Sequence, residues 1–534
     1  MKTRSFLLST LAVFIFAGCS SEDAREGNIP GGELDGKAYL SLSLQSHTAT
    51  SRAVNVEEKP GSSGESKAGA VKVLLFDEDD VCLDVADFDG LTVGNSGGES
   101  GGTGTPEAVA SDAKLVPEKT KKVFVVINPY TDGWDLTSET VKGKPWSAIN
   151  TAIEAAIANI AANENFMMAS AGEGAGIEGA LTGVKVHKPT AYTSEAINQA
   201  KTDAQSDPAK ISVDRLSAKV ELAVKESFST KPDGATFAFS GWELSVTNKS
   251  VKLYSERITY DNATTIGAVY RRDKNYLSDE QPDVSNESTM EANMDAAFNY
   301  LKNIDSESEE MPAVAQSKGT SLYCLENTME AKAQQLGFTT KVVVKAKYTP
   351  YGLNENSSYF SWKGNYYTLD QLKTEYLKHS DGSGLKVDLS IFLKKAGIMT
   401  QEQFDGDQDT KNSVVASLSE GATATQLNAK TGIIGRFCAV RYYHESVCYY
   451  DVLIRHDQNV TEKMALGRYG VVRNNWYHLE LQSVSGPGTP WIPDPSDPDN
   501  PTPPGTDDDE ADAYISVKIT INPWTYWTQG VDLH

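Results

Sequence analysis

Residues 514–524 read YISVKITINPW. Ile515, Val517, Ile519 and Ile521 alternate with Tyr514, Ser516, Lys518, Thr520 and Asn522, a period of two that places the apolar set on one face of a β-strand. The stretch before it, PGTPWIPDPSDPDNPTPPGTDDDE at 487–510, has too little apolar surface to pack and too much proline to join a sheet. A lone strand does not persist in water, because its amides and its apolar face need a sheet. A strand held off its own body by such a tether is expected to complete a sheet of another molecule. Residues 486–512, extended at ~3.1 Å each, reach roughly 80 Å, against a radius of gyration near ~22 Å for a body of this size. That reach permits exchange between molecules and folding back alike.

The opposite end, MKTRSFLLSTLAVFIFAGCSS, is a secretory signal: Lys2 and Arg4, an apolar run over 6–16, then Ala17 and Gly18 before Cys19. The ending resembles a bacterial lipobox, in which the cysteine is acylated and becomes the mature N-terminus. No later run is long and apolar enough to span a membrane, so contact with a membrane is expected only through that lipid. The chain has 534 residues and a formal net charge of −24, with 49 Lys and Arg and no basic run. That balance argues against nucleic acid, whose binding depends on neutralising phosphates, and suits solubility outside the cell. Cys82, Cys324, Cys438 and Cys448 are too few and scattered for a disulfide framework. Cys438 and Cys448 lie in neighbouring strand-like runs, which leaves a pairing open, and no cysteine pair has zinc-ligand spacing.

Between the ends the pattern is mostly strand. AYLSLSLQ (38–45) puts Leu40, Leu42 and Leu44 on one face. The runs 71–76 and 122–128 follow, the latter (KVFVVIN) apolar enough for burial on both faces. The glycine-rich 94–105 reads as a loop. Residues 147–163 place Ile149, Ile153, Ile157 and Ile160 along one helical face. From Lys210 strands return at 210–224, 235–248, 442–454 and 471–484, with weaker ones at 348–367 and 386–393. The residues thus predict a mainly β body of two sandwich-type domains, with a small helical insertion in the first.

Catalytic and metal signatures are missing. There is no GxSxG, HExxH, Walker loop or GxGxxG opening a helix. Residues 405–409 (DGDQD) start like a calcium loop, but the glycine and glutamate needed at its sixth and twelfth places are Thr410 and Ala416, so a solvated turn is expected. The acidic run 77–80 reads as a hairpin tip, and His478 as a packed or edge histidine. No enzyme activity, cofactor or metal is expected.

Taken in order, the lipobox, the polar segment holding Arg52, the fragments KVFVVIN, FMMAS and VDRLSAKV, RYGVVRNNWYHLELQSV (468–484), the Trp-Ile-Pro-Asp-Pro linker and the ending INPW…VDL resemble the fimbrillin family of type V pili. Within that family the resemblance is to the major shaft subunit of minor (short) fimbriae. The resemblance implies two transthyretin-like β-sandwich domains and an assembly route. Family subunits are exported as outer-membrane lipoproteins; an Arg-specific protease removes an N-terminal segment with its first strand, and the groove left behind accepts a strand from the next subunit. Here it assigns acylation to Cys19, the scissile bond to Arg52 and Ala53, and the removable strand to Leu40, Leu42 and Leu44. The donor strand is Ile515, Val517, Ile519 and Ile521, with docking finished by Trp524 and the terminal Val531, Asp532 and Leu533. The implied partners are other copies of the chain, anchor and tip pilins, and the protease.

The expected organisation is a signal peptide (1–18), a lipidated propeptide (19–52), an N-terminal β domain (53–207), a C-terminal β domain (208–485), a linker (486–512) and the terminal strand (513–534). The alternative is a surface adhesin or glycan-binding lipoprotein that never polymerises, or a pilus anchor or tip. Glycan binding calls for an exposed aromatic platform, for which Trp134, Trp146, Trp242 and Trp362 are the candidates.

Overall fold

The computed structural model describes residues 34–46, 59–94, 109–172, 178–264, 268–275, 287–303, 313–419, 427–497, 503–510 and 514–525. The fold is mainly β. Its N-terminal part uses β1 (Lys37–Leu40), β2 (Leu42–Ser46), β3 (Val71–Phe76), β4 (Cys82–Phe88), β5 (Val93–Gly94), β6 (Lys114–Pro117), β7 (Lys122–Ile127), β8 (Met168–Ser170) and β9 (Ala209–Arg215). An eight-stranded sheet runs β4-β3-β7-β8-β9-β2-β5, with Thr182–Gly183 beside β7. β1 pairs separately with β6. The residues Val123 to Ile127 are all fully buried, because this sheet has a core on each face. One gathers Val71, Val73, Val125, Ile127 and Ile211; the other gathers Leu74, Phe124, Val126, Trp134 and Trp146. The acidic run 77–80 is the tip of the β3–β4 hairpin.

The C-terminal part is a sandwich of β10 (Ser217–Thr230), β11 (Thr236–Ser245), β12 (Ser321–Leu325), β13 (Lys341–Thr349), β14 (Val447–Leu453), β15 (Asn475–Val484) and β16 (Ile515–Thr525). One sheet runs β12-β10-β15-β16 and ends on Lys59–Pro60; the facing sheet runs β11-β13-β14. Their shared core holds Val220, Leu222, Trp242, Val342, Val344, Tyr450, Tyr477, Leu479 and Leu481.

Only Leu216 separates β9 from β10, so the chain passes from one domain's sheet to the other's in one step. Buried ions surround that step. Arg215 is fully buried and donates through Nε to the Glu65 carbonyl (2.9 Å) and through Nη1 to Asn474 Oδ1 (3.1 Å). Glu65 accepts from Lys219 (2.8 Å) and Tyr323 (2.6 Å). Arg271 reaches Asp214 at 2.6 Å, and Arg473 reaches Glu326 at 3.2 Å. Burial raises the Glu65 carboxyl; hydrogen bonds from Lys219 and Tyr323 outweigh that and hold it below its ordinary value. Each of these ions is costly to bury alone and tolerable only with its partner in place, which fixes the domains against each other.

Helices depart from expectation. The run 147–163 is not one helix but two single turns, Trp146–Ile149 and Ile157–Ile160, with Ile153–Glu154 between them paired to Ser250–Val251. No side chain caps either turn, and the pairing diverts the backbone. In the first domain the long helix is instead α1 (Ser194–Ser206). A helical module in the second domain comprises α2 (Leu369–Lys378), α3 (Leu385–Lys395) and α4 (Gln408–Ser417). The run 386–393, expected as a weak strand, is thus helical. Leu385, Leu389 and Phe392 line one face of α3 and are fully buried with Phe360 and Tyr442. Within 405–409, Asp407 caps α4 by accepting from the Thr410 amide (2.9 Å). Cys438 and Cys448 are free thiols.

Replacing Arg473 by Met should leave the Glu326 carboxylate buried without its cation and cost about 3–5 kcal/mol in urea unfolding. Adding Glu326→Leu should recover most of that loss. A single variant as stable as the parent would contradict the clasp.

Candidate functional site

The N-terminal strand fills a slot. β2 lies between β9 and β5, parallel to both, with Leu42 beside Ala209 and Leu44 beside Ile211 and Val93. The chain changes sheets at Ser41, whose hydroxyl donates to the Ser111 carbonyl (2.7 Å), while the Leu42 amide donates to the Ser111 hydroxyl (3.0 Å). That polar pair sets the register. Leu40, Leu42 and Leu44 are essentially inaccessible and join Val73, Val116, Ile211 and Val213 in one core. On the other face Tyr39 packs against Ile197, Ala200 and Ala204 of α1. Burying the three leucines contributes about 5–9 kcal/mol at ~1.5–3 kcal/mol each, an upper bound.

The C-terminal strand lies on its own body. β16 pairs antiparallel with β15, with Ile519 beside Leu479, Val517 beside Leu481 and Ile515 beside Val484. Ile515 and Ile519 are buried in the sandwich core, Val517 packs against it, and Tyr514, Ser516 and Lys518 are exposed. The alternation is as expected, but the strand is not held away from the body. Its ladder is one-sided: along 515–523 the other edge has no strand partner among the described residues. Only Trp524 and Thr525 pair there, with Lys59 and Pro60. Beside the open edge is a cavity of about 460 Å³, bounded by Ile515, Val517 and Ile519 on one side and Tyr450 and Val452 of β14 on the other.

The linker is docked as well. Trp491 and Ile492 are buried, the latter with Val314, Val343 and Tyr449. Thr489 exchanges backbone hydrogen bonds with Tyr449 (2.8 and 2.9 Å). Gly488 approaches so closely that a Cβ there would lie 1.9 Å from the Tyr449 carbonyl oxygen. Asp497 meets Arg436 Nε at 2.8 Å. Further on, the Gly337 and Leu336 amides donate to the carbonyls of Pro504 (2.9 Å) and Thr506 (3.1 Å). Asp508 accepts from the Thr339 hydroxyl (2.5 Å), and burial pushes its carboxyl up to about 7. Asp509 accepts from Arg468 Nε (2.8 Å) and Nη2 (2.7 Å), from the Tyr469 hydroxyl (3.0 Å) and from the Met464 amide (2.8 Å). Burial alone raises the Asp509 carboxyl; these donors outweigh it and hold it below its ordinary value. The expectation of a free tether fails because proline lacks only the amide: its carbonyl still accepts, and one Trp-Ile pair suffices as an anchor.

Cys19, Arg52, Ala53, Val531, Asp532 and Leu533 lie outside the described residues, as does the glycine-rich loop beyond Gly94. Ile521 and Trp524 are placed by backbone register alone, beside Tyr477 and Lys59. Leu40–Leu44 and the terminal strand occupy different sheets. The terminal strand's last paired residues, Trp524 and Thr525, meet Lys59 and Pro60. Trp134, Trp146, Trp242 and Trp362 are all buried, at most 7% exposed, so none of the four forms a glycan platform. His478 sits 3.7 Å from Glu221 at the sheet surface. The linker anchors and the interdomain ions were missed from sequence; the Trp491-Ile492 pair in a proline-rich run was the available signal for the former.

Residues 441–530, which hold β14, β15, the linker and most of the terminal segment, match the family described as major fimbrial subunit protein type IV, fimbrillin, C-terminal. No curated protein sequence matches the chain. Among solved structures, a candidate cell adhesion protein from Parabacteroides distasonis is 13% identical, with a TM-score of 0.42, covering 92% of this chain and 98% of its own. One from Bacteroides eggerthii is 12% identical, with a TM-score of 0.37, covering 94% and 98%. The C-terminally truncated tip fimbrial protein Mfa3 from Porphyromonas gingivalis is 11% identical, with a TM-score of 0.33, covering 91% and 100%. The chain is similar to these, and its C-terminal portion carries the fimbrillin match.

Proposed function

We propose that this chain is a structural pilin, the shaft subunit of a surface fimbrium built from lipoprotein precursors. In this reading Cys19 carries the lipid that brings the precursor to the outer membrane, and cleavage between Arg52 and Ala53 frees strand 37–46. The terminal strand of the next copy then enters the vacated slot, with Ile515, Val517, Ile519 and Ile521 as its apolar side chains and Trp524 and Leu533 closing the end. Anchor and tip pilins and an Arg-specific protease are the other partners, and the chain divides as the six segments given above.

The observation that carries this reading is the position of β2. It pairs with a strand on each side, buries three leucines and precedes the segment in which the cut is placed. Its removal exposes the edges of β9 and β5 and the apolar floor between them, which no protein leaves open without consequence. Over 515–523 the terminal strand has a strand partner on one side only among the described residues. A slot with ladders on both sides offers it further hydrogen bonds, each about 0.5–1.5 kcal/mol net. An intact precursor cannot make the trade, since its own strand holds the slot at high effective concentration. Cleavage converts that into a contest between chains, which is β-strand addition. The fimbrillin match over 441–530 supports a fimbrial subunit.

Surface-extracted protein should begin at Ala53 by N-terminal sequencing, and Arg52→Ala should accumulate the longer precursor. Material beginning at an acylated Cys19 would favour an anchored monomer. Val517→Asp, at a half-buried position, should leave a folded monomer by circular dichroism and remove SDS-resistant ladders. Ladders like those of the parent would refute the donor role.

A further inference from the structure

Residues 503–510, while docked, hold the terminal strand on a short tether. With that segment in place only 511–513 join it to the strand, a span of about 10 Å. With it released, and 486–497 still anchored by Trp491 and Ile492, the freed stretch 498–513 reaches about 50 Å at ~3.1 Å per residue. The docking is therefore what sets the strand's reach. It rests on one concentrated contact: four donor atoms of Arg468, Tyr469 and the Met464 amide bond Asp509, with Arg455 Nη2 at 3.3 Å as a fifth. Arg468 is itself held, its Nη1 donating to the Val460 carbonyl. Around the contact, the carbonyls of Pro504 and Thr506 tie the segment to Gly337 and Leu336. Charge-assisted bonds to a partly buried carboxylate are the strong kind, and here they join the linker to its own body rather than to the strand.

We propose that Asp509 on Arg468 is an intramolecular latch that keeps the terminal strand on its own subunit, and that opening this latch commits the strand to a neighbour. The inference rests on the donor-strand reading, whose acceptor lies in the other domain, 250 residues or more from the latch in sequence. It makes exchange a two-condition event: a slot emptied on one copy and a latch released on another. The latch also explains how a chain with an edge strand of this apolarity avoids pairing indiscriminately before assembly.

The test is amide hydrogen exchange on the uncleaved full-length chain, followed by capture of its strand by a trimmed copy. Asp509→Ala, the milder Asp509→Asn, Arg468→Gln and the double variant are compared with the parent. The latch predicts that exchange at 503–510 and 515–523 rises about tenfold or more in each, that the double variant exceeds neither single one, and that capture accelerates alongside. Unchanged exchange in every variant overturns the latch, as does faster exchange where the parent is captured and the variants are captured no faster. If exchange rises but no chain, parent included, is ever captured, the latch stands and the donor-strand reading falls.

Discussion

Every strand edge in this molecule carries backbone donors and acceptors that must find partners, and the segments near the two ends of the chain supply the strands that satisfy two of the exposed edges. β2 closes the gap between β9 and β5, and β16 covers the outer edge of β15. Neither belongs to a local hairpin. Both lie toward the ends of the chain, so both are the elements most readily removed or replaced without unravelling the fold around them. The proposed assembly uses that property once the protease has emptied the slot.

A strand that moves between subunits transmits force only if each subunit is rigid. The ion cluster about Leu216 supplies the rigidity, tying Glu65, Asp214, Arg215, Lys219 and Asn474 across the two sheets, with Arg473 and Glu326 paired beside them. Asp214, Arg215, Lys219, Arg473 and Asn474 fall in VDRLSAKV and VVRNN, fragments that carried the family resemblance. Their chemistry is structural: buried charges cost too much to leave unpaired, so they fix one arrangement of the domains.

What could be read in advance follows from how local each signal is. The alternation at 40–44 and 515–521 was legible because a period of two within a few residues fixes which side chains share a face. The mainly β class followed from the same pattern. The break at 147–163 was illegible because Ser250 and Val251, nearly a hundred residues away, capture its middle. The helix over 385–395 was overlooked although Leu385, Leu389 and Phe392 recur at helical spacing, since its β-branched Val387 and Ile391 suggested a strand. The burial of Arg215 and Arg473 was illegible, because their partners Asn474 and Glu326 are over a hundred residues distant. The docked linker was hidden by composition: prolines and aspartates signal a solvated chain unless the body provides donors, as Arg468 and the Gly337 amide do here.

The central claim is that the terminal strand changes subunit once a slot is empty. A photo-crosslinking residue at position 517, in trimmed protein mixed from light and heavy isotope-labelled copies, reports which molecule the strand lies on. The account predicts light–heavy adducts at residues 209–213 or 91–94, the walls of the slot. Adducts confined to a single chain, at Leu481 or Val452, would contradict it.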